Sequence, residues 1–239
     1  DDLMHPKRLA QQVAFMDEHP KVGVSGTWLR AFGDSDATIK KPASDKEIRS
    51  QLLLGIPLSY PSCIIRRSVV NEHHIRCDPN CLTPGMDHLF LLNIGLHAKY
   101  ANLQEPLTLY RVGEQNMDHG RDRTADHRLL LRGTFRLLNI PASQEEVDLH
   151  LMLANLHTSP PTPERVRALA AWLKRLTAYN RSTGQFPVAE FEKQLDILWE
   201  RTFHPLTDHS AAAGWTQLCL TDPSDPRKLY YLIRSLGRS

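Results

Sequence analysis

Cysteine is scarce in this chain of 239 residues: four stand at positions 63, 77, 81 and 219. Cys77 and Cys81 make half of a metal-binding pair, but no second pair completes a zinc site. Four scattered thiols do not make the disulfide framework of a small secreted domain either, so a reducing cytoplasm is the expected setting. Aromatic residues are few, at 7%, and no basic run is interleaved with them. With a net charge of +2, that leaves no electrostatic case for a nucleic-acid partner. No stretch of about 18 apolar residues occurs, so no membrane-spanning helix is expected. No secretory signal pattern, internal repeat or low-complexity tract is seen. The length suffices for one large or two small domains.

What is present is a change of pattern along the chain. Leu9, Val13 and Met16 recur at helical spacing behind Pro6 and predict a helix from about Pro6 to Glu18, ended by His19-Pro20. Val22–Phe32 reads as a strand with Val22, Val24 and Trp28 in one period-two register. Ser44-Asp-Lys-Glu47 is a capping box opening a helix that runs through Ile48 to Leu54. Cys63–Ile65 reads as a buried strand, and Ser68 as the cap of a short helix, Val69–His73. Lys99–Leu103 and Leu107–Val112 read as two strands parted by a turn at Glu105-Pro106, and no strand pattern follows Val112. From His127 the pattern is helical, with a second capping signal at Ser143–Glu146, a proline-rich hinge at Thr158–Pro163, and apolar stripes over Pro163–Asn180 and Val188–Arg201. A last helix is expected over Pro223–Ser235. Trp172, Trp199 and Trp215 fall among leucines at helical spacing and read as core. The expectation is an α/β part over residues 1–120 and an all-α part over residues 121–239.

One stretch draws most attention. Asp87 follows the Pro84-Gly85 turn and precedes the apolar run Leu89–Ile94, which Gly95 is expected to stop. A carboxylate there caps backbone N–H groups and is favoured by the helix dipole. The same position suits a general base aimed at a substrate hydroxyl, with Met86, Leu89 and Phe90 as an apolar wall that would raise its pKa. Both readings stand at this point. Ser62 suits either an acceptor contact or a turn, Arg66 and Arg67 either phosphate or solvent, and His88 either substrate or surface. His73 and His74 are adjacent and so do not place two ligands on one helical face.

Five pieces in order resemble the family-2 inverting glycosyltransferases, nucleotide-sugar enzymes with a GT-A fold. Asp1-Asp2-x-x-x-Pro6-x-Arg8-Leu9-x-x-Gln12-Val13-x-Phe15 resembles the segment that starts at the end of the family's DxD metal motif. His19-Pro20-x-Val22-Gly23-Val24-x-Gly26 resembles the next helix-to-strand turn. Pro61–Ser68 resembles the strand lining the acceptor side of the cleft. Asp78-Pro79 and Met86-Asp87-His88 resemble the acidic stretch that opens the catalytic-base helix, and Asn102–Arg111 the closing strand pair. Met86 stands where the family usually has Glu, Leu89 where it has a second Asp, and Gly113-Glu114-Gln115 where it often has His.

The resemblance implies a mixed GT-A sheet with flanking helices, followed by a helical extension. It implies Asp87 as base, Ser62, Met86, His88 and Arg111 as substrate contacts, and Asp1, supported by Asp2, as a ligand of Mg2+ or Mn2+. Hard cations of that kind prefer carboxylate and phosphate oxygens. The implied partners are a nucleotide-sugar donor and a saccharide or lipid-linked acceptor in bacterial surface polysaccharide synthesis, with peripheral association at the cytoplasmic face of a membrane. The chain opens on Asp1-Asp2-Leu3 without an initiator Met, so further residues, including the family's nucleotide-binding half, are expected upstream. Two rivals stand beside this reading. One is an inactive domain kept as an interaction module. The other is an Asp87–His88 hydrolase, which the roughly 100° between neighbouring helical residues disfavours.

Overall fold

A computed structural model describes residues 2–53, 55–77, 86–114 and 122–236, with Met86 described in its backbone only. The chain divides into two compact units, Asp1–Asp126 and His127–Ser239.

The first unit is built on a mixed sheet. Its elements are β1 (Leu3–Met4), α1 (Arg8–Glu18), β2 (Val22–Gly33), β3 (Thr38–Ile39), α2 (Asp45–Arg49), β4 (Ile64–Ile65), α3 (Arg67–Glu72), α4 (Met86–Gly95) and β5 (Lys99–Val112). The sheet runs β1-β5-β2-β3, and β4 also pairs with β2. β2 and β5 are parallel from Val22 opposite Lys99 to Gly33 opposite Val112; every other pairing is antiparallel. β3 and β4 share one edge of β2, at Leu29–Arg30 and Val24–Ser25 respectively.

β2 does not alternate as expected: every residue from Val22 to Thr27 is buried. The neighbouring strand shows why. Ala101 packs with Met16 of α1 while Tyr100 beside it donates its hydroxyl to Leu91 O of α4, so helices cover both faces of the sheet centre. A strand buried on both sides reads as a continuous run, not as an alternation.

The two strands expected at the end of this unit are one. β5 continues through Glu105-Pro106, but its pairing slips: Leu103 lies opposite Thr27 and Pro106 opposite Trp28. Gln104 and Glu105, and after Pro106 also Leu107, are the extra residues, and proline, which has no N–H for the ladder, is tolerated at such an irregularity. The Ser44 capping box forms as expected, with Ser44 Oγ accepting from Glu47 N and Ser44 N donating to Glu47 Oε2. Its helix is shorter than the pattern suggested and ends at Arg49, where the Ser50 hydroxyl turns back onto Glu47 O. α3 starts at Arg67, with Arg66 at its cap and no side-chain cap bond, so Ser68 does not cap it. Arg66 does other work: Nε donates to Val22 O (3.0 Å) and Nη2 to Met16 O (2.6 Å), tying α1 to β2.

The second unit is helical throughout its described residues, as expected. It takes in most of α5 (Thr124–Leu137), then α6 (Gln144–Leu151), α7 (Pro163–Thr183), α8 (Val188–Arg201), α9 (Phe203–His209), α10 (Ala211–Thr221) and α11 (Pro226–Leu236). α7 has Thr162 Oγ1 accepting from Arg165 N at one end, Pro163 in the first turn, and Gly184 in the left-handed region at the other. Trp172 is core: its Nε1 donates to Nδ1 of fully buried His150 (3.1 Å), and Phe135 meets both rings edge-on. Trp215 is not core; it is 52% exposed on α10, whose buried side is Ala213, Thr216, Gln217 and Leu218. α9 and α10, for which the sequence raised no expectation, start with Pro205 inside a first turn and with Ser210 as a cap accepting from Ala213 N.

Candidate active site around Asp87

α4 is placed by the contact at its far end. Gly95 lies against the Tyr100 ring, whose hydroxyl donates to Leu91 O at 2.9 Å. A methyl on Gly95 would overlap Oη and Cζ of Tyr100, so glycine is needed here for close approach. Gly95 is not among the residues of positive φ, and the expected role of a left-handed helix stop gives way to this packing role. Arg49 braces the same end, with Nη2 donating to Gly95 O (2.7 Å) and Ala98 O (2.9 Å) and Nε paired to Asp45 (2.9 Å). Asp87 stands at the opposite end of α4, eight residues away, or about 12 Å at the helical rise.

Asp87 is exposed, within the first turn, and its Oδ1 accepts from His88 N at 2.9 Å. That bond satisfies one of the helix's unpaired N–H groups. The second carboxylate oxygen has no protein hydrogen bond among those described. Leu89 and Phe90 are half-buried, and the Met86 side chain, the third member of the expected apolar wall, lies outside the described residues. His88 is 5% exposed. Asp87 and His88 therefore face different ways, as their helical offset requires.

Asp87 acts electrostatically on two neighbours, the Tyr60 phenol and the Cys63 thiol, and Cys63 in turn feels Arg8 and Lys41. The Cys63 thiol is pushed up to about 12, first by burial and then by Asp87, against the pull of Arg8 and Lys41. Burial raises the Tyr60 phenol as well, with Cys77, Asp87 and Cys63 adding to it. Burial lowers Lys41, and Cys63 opposes that. Tyr60 is 46% exposed, so it presents a protonated phenol to solvent near Asp87. Arg8 is held in place: Nη1 donates to Pro61 O (2.7 Å) and to Thr108 Oγ1 (3.0 Å), fixing the Tyr60–Ser62 turn against β5.

Ser62 belongs to that scaffold. It is fully buried, its Oγ accepting from Thr27 N (3.1 Å) and donating to Ser59 O (2.7 Å). Gln12 closes over it, donating to Ser62 O (3.1 Å) and to Ser25 O (2.9 Å).

Arg111 lies elsewhere on the sheet, three residues beyond Thr108, or about 10 Å along β5 at the strand rise. Its backbone N donates to Asp2 Oδ1 (3.0 Å) and its guanidinium sits 4.5 Å from the centre of the Phe32 ring. β2 and β5 are parallel and end side by side here, at Gly33 and Val112. Ligands of open α/β sheets gather outside such carboxyl ends. Asp1 lies outside the described residues, as do Asp78, Pro79 and the Met86 side chain. Asp2 offers the right donor chemistry for a hard cation, with one oxygen committed to Arg111. Among the described residues no three His, Cys, Asp or Glu side chains group to hold a metal.

The structure thus sets Asp87 near Tyr60 and Cys63, sets Lys41 and Arg8 near Cys63, and joins Arg111 to Asp2. Tyr60, Lys41 and Cys63 went unmarked as site residues in the sequence. A tyrosine before Pro-Ser and a lysine after lysine carry no periodic signal, and only the fold of the intervening loops joins them.

No protein-family model and no curated protein matches this chain. Among solved structures it is similar to residues 1–349 of TarS from S. aureus in complex with UDP, at a TM-score of 0.43 and 16% identity, covering 99% of this chain and 61% of that one. A second structure of the same TarS residues gives the same values. The chain spans less than two thirds of the TarS segment it matches.

Proposed function

We propose that this chain serves an inverting glycosyl transfer from a nucleotide-sugar donor to a saccharide or lipid-linked acceptor, with Asp87 as general base. The observation that carries the reading is an exposed Asp87 on the first turn of α4, with the Tyr60 phenol and the Cys63 thiol within its electrostatic reach, at the position the sequence resemblance marks. In the proposed step Asp87 takes the proton of the acceptor hydroxyl. The acceptor oxygen forms a bond to the anomeric carbon as the bond to the diphosphate oxygen breaks, and the electron pair leaves with the nucleotide. Configuration at carbon inverts.

Tyr60 is proposed to donate to the acceptor sugar, and Arg111 and Met86 to contact substrate. Ser62 and His88, both buried, act as positioning residues, Ser62 by holding the Tyr60 turn. Asp1, with Asp2 beside Arg111, is proposed to hold Mg2+ or Mn2+, which would neutralise charge on the diphosphate. Location at the cytoplasmic side of a membrane is part of the same proposal. Among the described residues no helix is long and apolar enough to cross one.

The test is nucleotide release by the full-length gene product across a panel of UDP- and GDP-sugars with manganese. The expected result is acceptor-dependent release with a product of inverted anomeric configuration. A retained configuration, or no turnover with any donor and acceptor pair, contradicts the proposal.

A further inference from the structure

α11 is buried on one side only. Leu232, 4% exposed, packs with Phe203 and Leu218, and Leu229 and Tyr231 lie partly buried against the same cluster. Polar contacts pin this side: Lys228 Nζ reaches Glu200 Oε2 at 2.6 Å, and the Tyr231 hydroxyl meets Asp208 Oδ1 at 2.5 Å. The other side is apolar and open. Tyr230 is 62% exposed, Ile233 69% and Leu236 63%.

At about 100° per residue those three side chains span roughly 120°, with partly buried Leu229 in line between Ile233 and Leu236, and exposed Arg234 and Arg227 flank the Tyr230 edge. Both arginines are exposed, and the Arg234 guanidinium lies 5.7 Å from the centre of the Tyr230 ring. Residues 226–239 contain Arg227, Lys228, Arg234 and Arg238 and no Asp or Glu.

The charge selects the occupant. Two copies of this chain joined antiparallel through the strip about a two-fold axis would set arginines against arginines. Three side chains also fall well short of the ~800 Å² per partner of a stable protein interface. An anionic lipid surface meets both halves of the face. Aliphatic side chains enter the acyl boundary, the tyrosine sits at headgroup level, and arginines reach phosphates at the rim.

We propose that α11 is a membrane-surface helix whose Tyr230–Ile233–Leu236 strip enters an anionic leaflet, with Arg227 and Arg234 on the lipid phosphates. The proposal stands on α11 alone and does not depend on the catalytic reading.

Co-sedimentation of the chain with phosphatidylcholine vesicles, with and without phosphatidylglycerol, tests it. The expected result is binding to the anionic vesicles and little to the neutral ones. Arg227→Gln with Arg234→Gln should weaken partitioning roughly 25-fold, at about fivefold per arginine. Tyr230→Ser with Ile233→Ser should weaken it at least about tenfold, with helix content by circular dichroism unchanged because both positions face solvent. Equal binding to neutral and anionic vesicles, or binding that both double variants leave intact, overturns the proposal. So does a failure to bind, whether or not the chain then forms dimers that Ile233→Ser dissolves.

Discussion

Gly95→Ala is the substitution on which two physical readings of α4 give opposite signs. If Gly95 were an ordinary residue near a helix end, alanine would stabilise by up to about 1 kcal/mol through helix propensity. The structure places the missing methyl inside the Tyr100 ring, and Tyr100 is 1% exposed with no room to retreat. Overpacking a core costs about 1–3 kcal/mol. Shifting the ring also strips the buried Tyr100 hydroxyl and Leu91 O of each other, adding about 1–3 kcal/mol. After the propensity gain, the net loss centres near 3 kcal/mol, which is roughly a 100-fold rise in local opening at about 1.4 kcal/mol per tenfold. Hydrogen exchange followed by mass spectrometry over the peptides of α4 and β5 reads this directly. In a Tyr100→Leu background the ring is gone, so Gly95→Ala should become neutral or stabilising. Unchanged or slower exchange in Gly95→Ala alone would refute the packing argument and the placement of α4 with it.

Two further outcomes are expected. Arg66→Met removes charge-assisted bonds to Val22 O and Met16 O and should cost about 2–4 kcal/mol, visible as a lowered thermal midpoint, with Arg66→Lys recovering only part because an ammonium lacks the planar fork. Cys63, its thiol raised from 9.0 to about 12 in the folded chain, should resist thiol reagents near neutral pH while exposed Cys77 reacts. The unfolded thiol ionises first, so stability is fully present below about 9 and falls as pH rises from there toward 12, and Cys63→Ala should flatten that slope. Because Asp87 helps hold the thiol up, Asp87→Asn should lower the pH at which Cys63 reacts, an observation independent of any turnover.

Much of the fold was legible in local chemistry. The Ser44 and Ser143 boxes are signals confined to a few residues, and each forms as written. What was not legible depends on partners distant in sequence. The seeming turn at Glu105-Pro106 is a slip within one strand because β2 continues beside it. Gly95 carries the mark of a helix stop, yet its contact is with Tyr100, whose position only the sheet sets. Of the site, Asp87 was visible because a Pro-Gly turn and an apolar helix frame it. Tyr60 was not, because only the fold brings it within reach of Asp87. Trp215 illustrates the converse: helical spacing among apolar residues does not say which side of a helix is covered.

Asp87→Asn in the full-length gene product, assayed for donor binding and for acceptor-dependent nucleotide release, puts the central proposal to the test. Asparagine is nearly isosteric and its side-chain oxygen can still accept from His88 N, so fold and donor affinity should persist. It cannot take the hydroxyl proton, and loss of a general base costs about 10²–10⁴-fold in rate. The account therefore predicts intact donor binding with transfer reduced by that factor. Full transfer by the Asn variant, with Asp87→Ala losing only about 1 kcal/mol of stability, would leave Asp87 as a helix-terminal residue and nothing more.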